Sequence, residues 1–203
     1  MKWVVFTCPE RQAEALETLR SLGETDFPGR PFLELDHGNG PPSRERQIVA
    51  RVGALQRLLR DFPRERLFAL FDDDIVFNRF IWSHLWRWRA TRRIHLFASL
   101  YRRGMGGAMP PDHTRDELAS GFECAQALLL SRPVVEGLCL NWHSVASDLP
   151  WDRHLGAVAA LLGLTVTYHL PSLVQHRSPA SLVGSAPHRS ACFSEEWGEP
   201  SIP

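Results

Sequence analysis

The run Leu67-Phe68-Ala69-Leu70-Phe71 ends on three consecutive aspartates, Asp72, Asp73 and Asp74. An apolar run of this length, bounded by polar residues, reads as a strand buried on both faces. In open α/β sheets, ligands gather just beyond the carboxyl ends of such strands. Three neighbouring carboxylates there repel one another, by roughly 4 kcal/mol per pair at ~4 Å and an effective dielectric near 20. A divalent cation would turn that repulsion into attraction, and Mg²⁺ or Mn²⁺ takes oxygen ligands. A solvated acidic turn is the plainer alternative for the run by itself.

The flanking pattern supports an α/β chain. Lys2–Cys8 reads as a strand. Pro9 opens a helix with Ala13, Leu16, Leu19 and Leu22 at helical spacing. Pro31–Leu35 is a second strand, followed by the turn-rich stretch Asp36-His37-Gly38-Asn39-Gly40-Pro41-Pro42. Ser43 is the N-cap of a helix whose apolar face is Ile48, Val52, Leu55 and Leu59, ending near Pro63. After the aspartates come a helix with Ile81, Leu85 and Trp88 in register, a strand over Ile94–Leu100, and a long loop from Arg102 to about Gly121. Loops of that length inside a compact domain are functional or mobile. A strand over Ala125–Leu130, helices over Arg132–Leu140 and from Trp151, and a strand over Leu164–Leu170 complete the order. The alternation predicts a three-layer α/β/α sandwich on a mostly parallel sheet. Residues 1–184 form one domain in this reading, and 185–203 a tail that is flexible or folds over the ligand site.

Composition narrows the partners. With 23 Lys+Arg against 23 Asp+Glu, no global field attracts nucleic acid or an anionic membrane. The cysteines, Cys8, Cys124, Cys139 and Cys192, have no CxxC or zinc spacing and read as free thiols in a reducing cytoplasm. The segment Met1–Cys8 is too short for a signal peptide, and the longest apolar stretch, Leu155–Leu164, is about half a membrane span. A cytoplasmic chain with no membrane span is expected. The segment with Trp82, Trp86, Trp88, Arg87, Arg89, Arg92 and Arg93 suits sugar or nucleic-acid contact, although core tryptophans and a solvated arginine face explain it as well.

Four pieces in this order resemble a glycosyltransferase of the GT-A type: Thr7-Cys8-Pro9-Glu10-Arg11, Phe71-Asp72-Asp73-Asp74-Ile75-Val76 as the DxD region, Gln126-Ala127-Leu128-Leu129-Leu130-Ser131-Arg132, and Pro171-Ser172-Leu173-Val174-Gln175-His176. The last piece is similar to inverting N-acetylglucosaminyltransferase-type enzymes. The resemblance covers roughly residues 2 to 184. It implies transfer of a sugar from a nucleoside diphosphate donor, a UDP-sugar first, to a saccharide or other hydroxyl, with Mn²⁺ or Mg²⁺. By resemblance Asp74 binds the metal directly, Asp72 lies near the ribose or reaches the metal through water, and Asp73 points to the opposite face. His176 is the second protein ligand of the metal. Thr7, Arg11 and Asp36 contact the base, ribose and phosphates, and Gln126 the donor. Asp152 is the catalytic base, Asp148 the reserve, and Glu123 a sugar contact.

Each position also has a plainer role. His176 can bond backbone, Arg11 can open an exposed helix, Asp36 can hold a turn, and Asp152 can be an N-cap. Three rival functions remain: a sugar-phosphate nucleotidyltransferase, a non-catalytic nucleotide-sugar or glycan-binding module, and a transferase acting on a hydroxylated base in nucleic acid. The absence of glycine from Thr7–Gln12 disfavours the first, and the even charge the third. No Walker A or GxGxxG sequence is present.

Overall fold

The computed structural model describes residues 1–36, 41, 43–104, 112–145, 148–177 and 188–198. In chain order the elements are β1 (Lys2–Thr7), α1 (Gln12–Gly23), β2 (Phe32–Leu35), α2 (Arg44–Asp61), β3 (Leu67–Asp72), β4 (Ile75–Phe77), α3 (Ile81–Arg87), β5 (Phe97–Ser99), β6 (His113–Leu118), β7 (Ala127–Ser131), α4 (Arg132–Asn141), α5 (Trp151–Leu161), β8 (Thr165–Leu170) and β9 (Val174–His176). The central sheet has seven strands in the order β2-β1-β3-β7-β5-β8-β6. Five strands run one way, and β7 and the edge strand β6 run against them. β4 and β9 form a separate antiparallel pair, with Ile75 opposite His176.

Side-chain alternation along the strands divides the core into the two layers that the sandwich requires. Val4, Phe6, Phe68, Leu70, Leu128 and Leu130 face α2, α4 and α5. Trp3, Val5, Ala69, Phe71, Ala98 and Leu129 face α1 and α3. Ser43 caps α2 as its position predicts, its Oγ accepting from Arg46 N at 3.1 Å.

Three expectations change. The second half of the long loop is β6, paired with β8 over its whole length. Its sequence His113-Thr-Arg-Asp-Glu-Leu118 is mostly exposed, so no apolar alternation marked it as a strand. The first half of that loop includes residues 105–111, which lie outside the described residues. Two short strands are added, β4 after the aspartates and β9 after the expected last strand. The tail divides as well: residues 188–198 pack back on β9 and α3, and 185–187 and 199–203 lie outside the described residues. Asn78 donates to the carbonyls of Ser194 and Trp197, while Ser190 and Gln175 exchange two hydrogen bonds.

The four cysteines are free. Among the described residues no helix is long and apolar enough to cross a membrane. Trp88 is core, Trp82 packs near Trp3 and Phe27, and Trp86 is 74% exposed, so the aromatic segment is mainly structural.

Candidate active site

The strand ends of β1, β2 and β3, the first turns of α2 and α5, and the end of β9 enclose a cleft of about 470 Å³. Thr7, Arg11, Asp36, Asp72, Asp73, Asp74, Gln126, Asp152 and His176 all line it. The sequence separates these side chains by as much as 169 positions, and parallel crossovers bring them to one rim. Glu123 lines the cleft too, but Asp148 is exposed and does not.

The triplet splits by direction. Asp72, closing β3, takes Arg51 Nη2 at 2.5 Å on Oδ1, and its N–H donates to Gln126 O at 2.9 Å. Asp73 is buried against the guanidinium of Arg11, 2.7 Å from Nε. Asp74 Oδ2 lies 2.6 Å from Arg11 Nη2 and 3.2 Å from His176 Nε2. Asp74 Oδ1 is buried with no hydrogen-bond partner. Arg11 thus clamps two carboxylates, where a donor contact was expected.

Burial raises Asp72 above the ordinary carboxylate range and Asp73 to about 6, against the pull of their arginines. Burial opposes Asp74 as well, yet the hydrogen bond and charge of His176, with Arg11, hold it below that range. The reciprocal holds for His176, where burial opposes the proton but Asp74 wins and raises the imidazole.

Seven carboxylates and seven arginines line the cleft. Most are already joined: Arg46 to Asp36 at 2.9 Å and to Glu10, Arg57 to Glu34, Arg153 to Glu123. Arg44 and Arg103 make no ion pair among the described residues. They are the cations placed to meet added negative charge.

Asp152 does not cap its helix. Pro150 is the N-cap of α5, and Asp152 sits within the first turn. Its Oδ2 accepts from Cys124 N at 3.0 Å and its Oδ1 from Arg153 N at 2.9 Å. Cys124 has φ +73°, a left-handed backbone that this hydrogen bond helps to hold. Gln126 Oε1 is buried without a partner beside the cleft, while its Nε2 faces His188 Nε2 at 3.4 Å.

Several cleft groups escaped the sequence reading, among them Arg44, Arg103, Arg51 and His188. Arg51 lies 5.3 Å from the rings of both Phe6 and Trp151, besides holding Asp72. Arg44, Gln47 and Arg51 recur at i, i+3 and i+7 along α2, a spacing that could have marked them. His188 stacks on His176 with ring centroids 4.8 Å apart and meets Tyr101 Oη at 2.8 Å. No periodicity pointed to it.

A crystal structure of a glycosyltransferase involved in the glycosylation of the major capsid of PBCV-1 superposes with a TM-score of 0.58, over 89% of this chain and 95% of that one, at 13% identity. The chain has the fold of that glycosyltransferase. A197 from STIV gives a TM-score of 0.55 at 11% identity, over 88% of this chain and 87% of A197. No protein-family model matches the sequence, and no curated protein matches it.

Proposed function

We propose that this chain is a metal-dependent glycosyltransferase. It would move a sugar from a nucleoside diphosphate donor, a UDP-sugar first, to a hydroxyl of a saccharide, with Mn²⁺ or Mg²⁺ at Asp74, Asp72 and His176. The observation that carries the reading is Asp74 Oδ1, a carboxylate oxygen buried at the strand-end cluster with nothing donating to it. An unpaired buried acceptor is costly, and a hard cation is the partner that two carboxylates and an imidazole suit. When bound, the ion would offset the charge growing on the diphosphate as the glycosidic bond breaks.

The chain's own groups then take distinct parts. Arg44 and Arg103 meet the phosphates. Thr7 and Asp36, at the ends of β1 and β2, face the nucleoside, and Gln126 Oε1 accepts from a sugar hydroxyl. Asp152 takes the acceptor hydroxyl proton, with both carboxylate oxygens oriented by backbone N–H groups. A single displacement assisted in this way inverts the anomeric carbon. Arg11 and Arg51 neutralise the aspartates until donor and cation arrive, since unpaired carboxylates at that spacing repel.

Thermal shift with UDP, Mn²⁺ and chelator tests the reading. A ligand bound only by the folded chain stabilises it by about 2.7 kcal/mol at a hundredfold excess over Kd. The UDP shift is expected to need Mn²⁺ and to vanish in Asp74→Ala, with a smaller loss in His176→Ala. An equal shift with and without chelator would remove the metal. No shift with any nucleoside diphosphate would remove the donor class.

A further inference from the structure

A second cluster of metal-type ligands lies on the α1/α3 side of the sheet, among residues that the proposed transfer does not use. His84 of α3, Asp112 just before β6 and His169 of β8 converge so that one ligand atom from each lies within 4.8 Å of the others. Among the described residues it is this trio, and not Asp72, Asp74 and His176, that meets at such range. Asp112 Oδ1 stands 2.7 Å from His84 Nδ1 and 3.3 Å from His169 Nε2. Both imidazoles are fully buried, while the Asp112 side chain keeps 21% exposure and so a route for an ion to enter.

Donor and acceptor assignment exposes a conflict at His169. Its Nδ1 lies 2.8 Å from Pro171 O, and a carbonyl can only accept, so Nδ1 carries the proton. In the neutral ring Nε2 then turns a lone pair toward a carboxylate oxygen. Two acceptors facing each other require a proton or a metal between them. A proton on the ring would put a full charge where no surface is exposed, and one on the carboxyl would remove the negative charge that His84 and Arg87 face. The nearest other cation, Arg87, reaches only the far oxygen, with Nε 3.7 Å from Asp112 Oδ2.

We propose that His84 Nδ1, Asp112 Oδ1 and His169 Nε2 hold a zinc ion that fastens the edge strand β6 to α3 and β8. Tetrahedral zinc with bonds near 2.0–2.1 Å keeps its ligand atoms about 3.3 Å apart. The His169–Asp112 separation is already 3.3 Å, and the His84–Asp112 contact would open by about 0.6 Å from its hydrogen-bond length of 2.7 Å. The Pro171 carbonyl on Nδ1 is the outer partner that orients a zinc-bound imidazole. Iron(II) with the same two imidazoles and carboxylate works through open positions. Here the Trp197 ring lies 4.3 Å from His84 and the Trp88 ring 4.9 Å from His169. Gly198 approaches so closely that a Cβ there would fall 2.5 Å from His84 Cε1. The rings shut the imidazole side, and one position remains on the partly exposed Asp112 side, where a water would complete the tetrahedron that zinc prefers.

The test uses the full chain carrying Asp74→Ala, so that the strand-end cluster has lost a ligand. Chelated protein is titrated with Co²⁺ and then with Zn²⁺. One equivalent of Co²⁺ is expected to give the visible absorption of a four-coordinate centre, Zn²⁺ to displace it, and added Zn²⁺ to raise the melting midpoint by several degrees. His169→Gln in the same background should lose both responses. Absence of the cobalt band and of the zinc shift in folded protein would overturn the site, as would equal responses in His169→Gln. Imidazole ¹⁵N spectra decide the matter should that variant fail to fold. His169 protonated at both nitrogens with zinc present would assign the conflict to a proton and overturn the metal.

Discussion

The two histidine–aspartate clusters are built from the same side-chain types and stand in opposite surroundings. Asp72, Asp74 and His176 open onto a cleft, and arginines hold the aspartates: Arg51 on Asp72, Arg11 on Asp74. His84, Asp112 and His169 lie under Trp197 and Trp88, with a single arginine at 3.7 Å. In the proposed transfer an incoming donor and cation would take over from the arginines as partners of the aspartates. In the second cluster both rings are without exposed surface, and only the Asp112 side faces outward. On these two proposals environment, more than ligand identity, would separate a site for turnover from a site for stability.

The comparison is most sharply tested at Asp152, which sits on the cleft side and touches neither cluster. Asp152→Asn is expected to lower kcat by about 10²–10⁴-fold, the usual contribution of a positioned base. Donor and metal binding should persist, and the product formed by the unsubstituted chain should have inverted configuration by NMR. The change also replaces one acceptor oxygen by an amide, so either Cys124 N or Arg153 N loses its partner. That loss is worth about 1 kcal/mol of stability, far too little to mimic the kinetic effect. Near-wild-type turnover would leave Asp152 only the task of holding the Cys124 turn.

On the buried side the expected effect is on stability alone. Trp88 Nε1 donates to Thr114 Oγ1 at 2.8 Å, tying β6 to the core beside His169. Thr114→Val keeps the shape and strands that indole N–H, at a cost of about 1–3 kcal/mol. Chemical denaturation should show the loss, with kcat and the KM for donor unchanged. A fall in kcat equal to that of a cleft variant would mean that the two regions are coupled, and that the contrast drawn between them is false.

What the sequence disclosed follows the same division. The Leu67–Asp72 strand, the Ser43 cap and the apolar face of α2 were legible because each is encoded within one turn or one strand. The strand-end position of Asp72 was legible from the apolar run itself, and that of His176 through the resemblance of the Pro171–His176 piece. β6 was not, because a solvated edge strand held by Arg93–Asp116, Arg102–Glu117 and pairing to β8 carries polar residues on both faces. β4 and β9 escaped because each has only three residues and finds its partner about a hundred positions away. The clamp of Arg11 on Asp73 and Asp74 spans over sixty residues, and no local pattern foretells it. Asp152 illustrates the limit from the other side. A helix start predicts an N-cap, but Pro150 takes that place and frees the carboxylate to bind a loop.

The smallest expected effect falls at Ser43, where the cleft depends on a backbone device and the buried cluster has no counterpart. Ser43 Oγ accepts from Arg46 N, and the turn it closes carries Arg44 and Arg46 toward the cleft. Arg46 is further anchored to Asp36 and Glu10, so the first turn of α2 is held from its side chains as well as from its cap. Ser43→Ala removes the cap at a typical cost of about 1 kcal/mol. For a chain of 203 residues that corresponds to a midpoint shift of about 2–4 °C. If Arg44 meets the donor phosphates, fraying of that turn should also raise the KM for donor severalfold while kcat stays level. Ser43→Gly, which costs only a few tenths of a kcal/mol at an N-cap, should restore most of both. A stability loss with no change in KM would detach the α2 turn from donor binding and leave Arg103 as the remaining cation for the phosphates.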